Sequence, residues 1–382
     1  MKRTAIFVLW LGCLLSLTGC WNKFELTDWA FVQAIGIDDS PEGKVEVTTH
    51  FYKPGGGGSL EGGPQGPSAF NITTKADTLF EAVRDIPLQL GRKAQWSHMR
   101  IIIISDRLAK KRNMLELTDY FFRDNEPRET VTVIMSKGSA KDYLIQQPYI
   151  ESTIGQQLRE MSRSSAKLAA KTKYVTLLDL AVQFRNQTGI ALLPYVYSSS
   201  GSSKEEIAVS QLAVLKDGKL VNDFLTSANV ESLLILRNEF KFGVFEVPCK
   251  EGGKESLEVN ALHTKKKIIP NSDTVTVHLE TKFEGSFGEI RCTEALTLDA
   301  EKQVAERIRK YMEGELRKAV DVAQQKKLDL LGIGNWLYQY HPSLWSKWSN
   351  DWDNRFAQAK FDIHVDVVLV NSGMLISKPY YK

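Results

Sequence analysis

The chain has 382 residues, 43% hydrophobic and 25% charged, with 49 Lys and Arg against 46 Asp and Glu for a net charge of +3. That is the mixture of a globular protein, and at ~100–200 residues per domain it has room for two or three. It excludes a wholly disordered chain, and the near balance of charge argues against a nucleic-acid partner, which calls for a strongly basic face.

Lys2 and Arg3 open the chain, residues 5–17 form an apolar run, and Leu17-Thr18-Gly19-Cys20 closes it. This is the order of a lipoprotein signal peptide over residues 1–19. The cations hold the start on the cytoplasmic side, the apolar run enters the bilayer, and small residues admit a peptidase to the bond before Cys20. The sixteen residues from Ala5 to Cys20 fall short of the roughly 20 that a spanning helix needs. Lipid attachment is therefore expected at Cys20, where two acyl chains at about 0.8 kcal/mol per buried CH₂ hold a protein on a membrane stably. An ordinary secretory leader with an incidental cysteine is the competing reading, and the completeness of the pattern weighs against it.

Residues 20–147 read as one mixed α/β domain. Residues 27–38 and 45–52 form a hairpin about a turn at 38–43. Residues 54–67, rich in Gly and Pro, make a surface loop, and Gly55 to Gly58 lack the Gly-Lys-Ser/Thr continuation that a phosphate cradle requires. A strand at 70–75 precedes a helix capped by Asp77, with Leu79, Phe80, Val83, Ile86 and Leu90 at helical spacing and Gly91 at its end. Ile101, Ile102, Ile103 and Ile104 in succession predict a strand covered on both faces. A helix opened by Asp106, a helix over 115–122, a strand over 130–135 and a short helical stretch capped by Ser139 complete the alternation.

Helices at 152–165 and 176–187 with a strand at 190–197 suggest a small second unit, residues 148–197, followed by a Ser/Gly linker at 198–205. The carboxy-terminal domain, residues 206–382, begins with strands at 207–215 and 220–225 about the turn Lys216-Asp217-Gly218-Lys219. Longer strands follow at 259–269 and 274–284, and a last one at 361–370. The longest helix, 299–325, carries Val304, Ile308, Tyr311, Leu316 and Val320 on one side and must lie across a sheet. The expected fold class is α+β and multi-domain: a mixed α/β amino-terminal domain, then an α+β domain with a long helix packed on an antiparallel-rich sheet.

The search for chemistry finds no catalytic constellation, and an enzyme is not expected. His50, His98, His263, His278, His341 and His364 are scattered, with no His-Glu-x-x-His or Cys-x-x-Cys, so neither metal nor cofactor is expected. Ser164 and Lys167 form Ser-x-x-Lys without the Lys-Thr-Gly and Ser-Asp-Asn partners of acylating enzymes, which favours a solvated helix face. Asp351 and Asp353 would make a hydrolase only if burial separated their pKa values. Trp345, Trp348 and Trp352 share a helical face beside Trp336, Tyr338 and Tyr340, and core packing is the expected role rather than an exposed stacking platform. Cys249 and Cys292 lie beyond the anchor in a compartment that permits oxidation, and a bond between them stays open.

Several stretches occur in a telling order: Cys20-Trp21, Ala34-Ile35-Gly36-Ile37-Asp38, Leu90-Gly91-Arg92 through Ser97-His98 and Ile101 to Ser105, and Arg123-Asp124-Asn125-Glu126-Pro127-Arg128. His341-Pro342, Trp345, Trp352, Val365 to Val370 and Gly373 continue it. Behind a lipobox, over nearly the whole chain, this resembles the Ger(x)C family of spore germination lipoproteins, the third subunit type of germinant receptors. The chain departs from the family at Asn22-Lys23, where an acidic residue is often found. The resemblance implies a non-enzymatic subunit acting in nutrient-triggered germination on the outer face of the spore inner membrane, lipid-anchored at Cys20. Its partners would be two integral membrane subunits, one of them similar to amino-acid permeases. Arg123, Asp124, Glu126 and Arg128 are the candidate partner contacts, against a reading in which these charges only bond locally at a helix end. Two other classes compete: a lipoprotein that captures a small ligand for a transporter, which needs a cleft between two similar lobes, and a cell-wall enzyme acting through Ser164.

Overall fold

A computed structural model describes residues 25–54, 68–124, 126–199, 206–221, 225–249, 252–291 and 298–371, together with Arg3, Thr4 and Trp10. Cys20 and the lipobox lie outside the described residues, as does Cys292.

The first predicted strand becomes β1 (Trp29–Asp39), which turns at Gly43 (φ +78) and pairs antiparallel with β2 (Val45–Tyr52), itself paired with β3 (Ala69–Ala76). The helix that follows is shorter than its apolar spacing suggests. It divides into α1 (Leu79–Arg84) and α2 (Ile86–Leu90), because Pro87 has no N–H to continue the ladder. Its cap is Thr78, whose hydroxyl accepts from Glu81 N–H, rather than Asp77, and Gly91 ends the second piece at φ +66. Next come β4 (Lys93–Gln95), β5 (Ile101–Ser105), α3 (Asp106–Lys111), α4 (Met114–Arg123), β6 (Thr132–Ser136) and α5 (Ala140–Leu144).

Then follow α6 (Ile154–Leu168), α7 (Leu177–Phe184), β7 (Ile190–Ser199), β8 (Glu206–Lys216) and the short β9 (Lys219–Leu220). The sheet has nine strands in the order β3-β2-β1-β5-β6-β7-β8-β9, with β4 beside β1; β1, β5, β6 and β7 are mutually parallel. Residues 148–197 therefore supply two helices and a strand to the same sheet, and a boundary near Pro148 does not divide it. Ser198 and Ser199 pair with Ile207 and Glu206, so the Ser/Gly stretch stands between two antiparallel strands of one sheet.

Helices cover both faces, which explains the four consecutive isoleucines. Ile102 and Ile104 pack with α1, α3, α4 and α7; Ile101 and Ile103 pack with α5 and α6. Gly155 lets α6 approach β1, since a Cβ there would lie 2.8 Å from that of Ala34.

The second sheet follows α8 (Ser227–Leu236) and has four strands, β10 (Val244–Pro248), β11 (Lys254–Pro270), β12 (Val275–Glu289) and, last in the chain, β13 (Lys360–Asn371). The first three are antiparallel, and β13 runs parallel to β12. Between them lie α9 (Leu298–Gln325), α10 (Ile333–Tyr340), α11 (Pro342–Trp348) and α12 (Trp352–Ala357). The long helix buries Val304, Ile308, Met312, Leu316 and Val320 on the sheet, with Met312 in the place the spacing gave to Tyr311, which is only partly buried. It also shields the edge of β13: Glu313 accepts from Val365 N–H at 3.1 Å and Arg317 donates to Phe361 C=O at 2.6 Å. Trp345, Trp348 and Trp352 are buried in this core, as their shared helical face predicts. The same cluster takes in Ile190, Leu192, Leu212 and Val214 of the first sheet, so the two sheets share one apolar core.

Candidate functional site

The parallel strands β1, β5 and β6 begin at one end of the large sheet, because Ala34 pairs with Ile101 and Ile101 with Thr132. The end of β2 and the start of β3 lie at that same end, since Val32 pairs with Phe51 and Tyr52 with Ala69. The chain enters there through a single helical turn, Leu26–Asp28. Five chain steps lead from Cys20 to Glu25, and at ~3.6 Å per extended step they span at most about 18 Å.

Helix α4 runs towards this end and delivers the charged segment beyond it. Its apolar face (Met114, Leu117, Phe121) docks on the sheet, and Asn113 caps its start by accepting from Leu115 N–H. At its far end the Asp124 carboxylate accepts from the Tyr120 hydroxyl at 2.9 Å and from Glu126 N–H at 3.0 Å. Glu126 reaches Lys93 Nζ at 3.6 Å, and that ammonium sits 4.6 Å from the centre of the Trp29 ring. The segment is thereby fastened to Trp29, the first residue of β1. The second carboxylate oxygen of Glu126 is buried with no hydrogen bond among the described residues.

These bonds divide the four sequence candidates. Asp124 and Glu126 are held locally, as the competing reading anticipates. Arg123 is exposed, its guanidinium donating to Asp119 at 2.6 Å one turn back, and Arg128 is exposed while its carbonyl accepts from Val131 N–H. Burial pushes the Tyr120 hydroxyl well above the ordinary phenol range, and the hydrogen bond to Asp124 pushes it further.

Arg123 and Asp124 also form one wall of a groove of about 450 Å³ between α1 and α4, with Phe80, Arg84, Glu116 and Tyr120. The Phe80 ring lies 5.9 Å from that of Tyr120, and the Arg84 guanidinium stacks 5.0 Å from the Phe80 centroid. Sequence reasoning assigned Phe80 to the helix's buried side, yet it is 53% exposed. The signal that could have found it is Arg84 at i+4, a cation placed to stack on the ring.

The residues that hinted at chemistry are not brought together. Ser164 and Lys167 are both exposed on α6. Asp351 binds Asn354, whereas Asp353 binds Lys216 at 2.8 Å, so the two carboxylates serve different structural contacts. Two of the buried carboxylates, Asp38 and Asp329, are structural caps. Asp38 accepts from Ala140 and Lys141 N–H at the start of α5, and Asp329 accepts from Ile333 N–H, Gly334 N–H and Trp352 Nε1. Burial raises the pKa of both. Among the described residues no cluster of His, Cys, Asp and Glu could hold a metal ion, and no helix is long and apolar enough to cross a membrane. Cys249 is disulfide-bonded.

Comparison with known proteins gives this architecture its relatives. Residues 22–197 match the family described as spore germination protein N-terminal domain, and residues 210–373 match spore germination B3/GerAC like, C-terminal. The chain is similar to three Bacillus subtilis (strain 168) proteins. It is 21% identical to spore germination protein KC (98% of this chain, 97% of the relative) and 26% identical to spore germination protein YndF (94% and 95%). It is 22% identical to spore germination protein B3 (98% and 99%). The crystal structure of the GerBC protein matches its fold with a TM-score of 0.56 at 17% identity, over 88% of this chain and 97% of that one.

Proposed function

The chain belongs to the GerAC family of spore germination proteins, and on that premise we propose that it is the lipid-anchored subunit of a germinant receptor, working through contacts with integral membrane subunits. The lipid on Cys20 tethers the body to the outer face of the spore inner membrane. The tether raises the body's effective concentration beside the integral subunits.

The observation that carries this reading is the common location of the leader's exit and the loop 123–128. Glu126, Lys93 and Trp29 form a chain of contacts from one to the other, so the loop shares the end that a short tether holds near the bilayer. A partner embedded in that bilayer is reached from this end of the sheet. Arg123 and Arg128 offer it exposed charge on a backbone held firm by Asp124. For the subunit to relay a germinant signal, these contacts must differ in strength between the resting and triggered receptor, because a partner with equal affinity for both states shifts neither.

The competing transporter-linked module needs a cleft between two similar lobes, whereas this chain has a nine-stranded and a four-stranded sheet fused through one core. The test is Cys20→Ala in sporulating cells. Release of the protein from the spore membrane fraction together with impaired nutrient germination is the expected outcome, and normal membrane retention would overturn the reading.

A further inference from the structure

The loop between α5 and α6 is built in an unusual way. The Gln157 side-chain carbonyl, one turn inside α6, accepts from Tyr149 N–H and Ile150 N–H at 3.2 Å each and from Glu151 N–H at 3.5 Å. Thr153 caps the helix, and the Ser68 hydroxyl donates to Ser152 C=O. A polar side chain is thus spent on fixing the backbone of a tip whose own side chains point into solvent. Ile150 is 90% exposed and Tyr149 64%. A single exposed isoleucine needs no explanation, but a rigidly presented apolar tip does.

Register locates the tip. Ser68 accepts from Lys53 N–H just beyond the Tyr52–Ala69 pair, level with the first residues of β1. Tyr149 and Ile150 therefore stand at the strand-starting end, where Leu26 (78% exposed) leads in from the tether.

We propose that this tip is a membrane-docking element: Ile150 enters the acyl boundary of the bilayer, Tyr149 sits at headgroup level, and exposed Lys53 faces lipid phosphates. The proposal rests on the lipid anchor at Cys20. A bilayer is the favoured occupant because a tether of at most about 18 Å brings this end to the lipid whatever the receptor's arrangement. An aliphatic tip beside a tyrosine and a lysine is also the composition that suits a membrane interface. The lipid would hold the body on the membrane, and the tip would fix which way it faces.

The test uses the full lipidated chain in vesicles of phosphatidylglycerol and phosphatidylethanolamine, with an environment-sensitive fluorophore on Ile150→Cys or, as control, on Glu42→Cys. Glu42 is exposed in the turn at the other end of β1, ten strand steps and about 33 Å away, and the unsubstituted chain gives the labelling background. The expected result is a blue-shifted emission quenched by brominated lipid at 150 and a water-like emission at 42. A chain that floats with the vesicles while the label at 150 stays water-like overturns the docking proposal and leaves the anchor standing. A label at 150 shielded only when integral subunits are reconstituted alongside overturns it in favour of a protein partner. A chain that does not float at all overturns the anchor, and the proposal with it.

Discussion

Asp124→Ala tests whether the charged loop is held in place by the bonds described above. The substitution removes the acceptor of two hydrogen bonds, from the Tyr120 hydroxyl at 2.9 Å and from Glu126 N–H at 3.0 Å. Bonds to a charged group contribute roughly 1.5–3 kcal/mol each when buried; Asp124 is half-buried, so the lower end applies and the pair is worth at most about 3 kcal/mol. The Lys93 pairing of Glu126 adds little, because ion pairs open to solvent are screened. Amide hydrogen exchange should accelerate over residues 126–131 while the amides of the buried interior strand β5 are unaffected, and the urea midpoint should fall. Asp124→Asn, which keeps one acceptor, should lie between. A second readout is the Tyr120 phenol: losing the carboxylate that favours its protonated form should lower its pKa towards the ordinary value, visible as phenolate absorbance at a lower pH. Unchanged exchange in the loop of Asp124→Ala would refute the idea that Asp124 shapes this surface.

Two further outcomes follow from buried polar groups. Asp329→Ala strands three donors, Ile333 N–H, Gly334 N–H and Trp352 Nε1–H, and at about 1–3 kcal/mol per unsatisfied group it should cost at least about 3 kcal/mol in urea unfolding. His50 is buried, with Nδ1 2.6 Å from Asn71 and Nε2 without a hydrogen bond among the described residues, and burial holds its pKa below 6.5. The unfolded chain therefore takes up a proton that the folded chain refuses, so its contribution to stability is present above pH 6.5 and is lost as pH falls through the lower folded value. His50→Gln should flatten the difference between urea midpoints at about pH 5 and about pH 7.5.

What the sequence disclosed was local. Ile101 to Ile104 announced a doubly covered strand, because four consecutive β-branched apolar residues suit a strand buried on both faces. The Trp345, Trp348 and Trp352 face and the long helix were legible for the same reason: each is a periodic pattern that one packing partner satisfies. What failed was decided by contacts distant in the chain. Residues 148–197 look like a separate unit until β7 is seen beside β6, a pairing across more than fifty residues. Phe80 fits a buried spacing, but its ring lies between Tyr120 of α4 and the Arg84 guanidinium at the groove's edge and stays half exposed. The four charged candidates could be named from a helix end and its sequel. That their loop touches Lys93, and through it the point where the tether enters, depends on a parallel pairing of Trp29 with Lys93 that no local signal encodes.

The most direct test of the tethered-contact account is photo-crosslinking in dormant spores from a reactive amino acid at position 128, with position 42 as the comparison. Crosslinks to integral membrane proteins from 128 and none from 42, abolished when Cys20 is replaced by Ala, are the result the account predicts. Equal crosslinking from both positions, or a membrane-bound chain whose position 128 touches no neighbour, would contradict it.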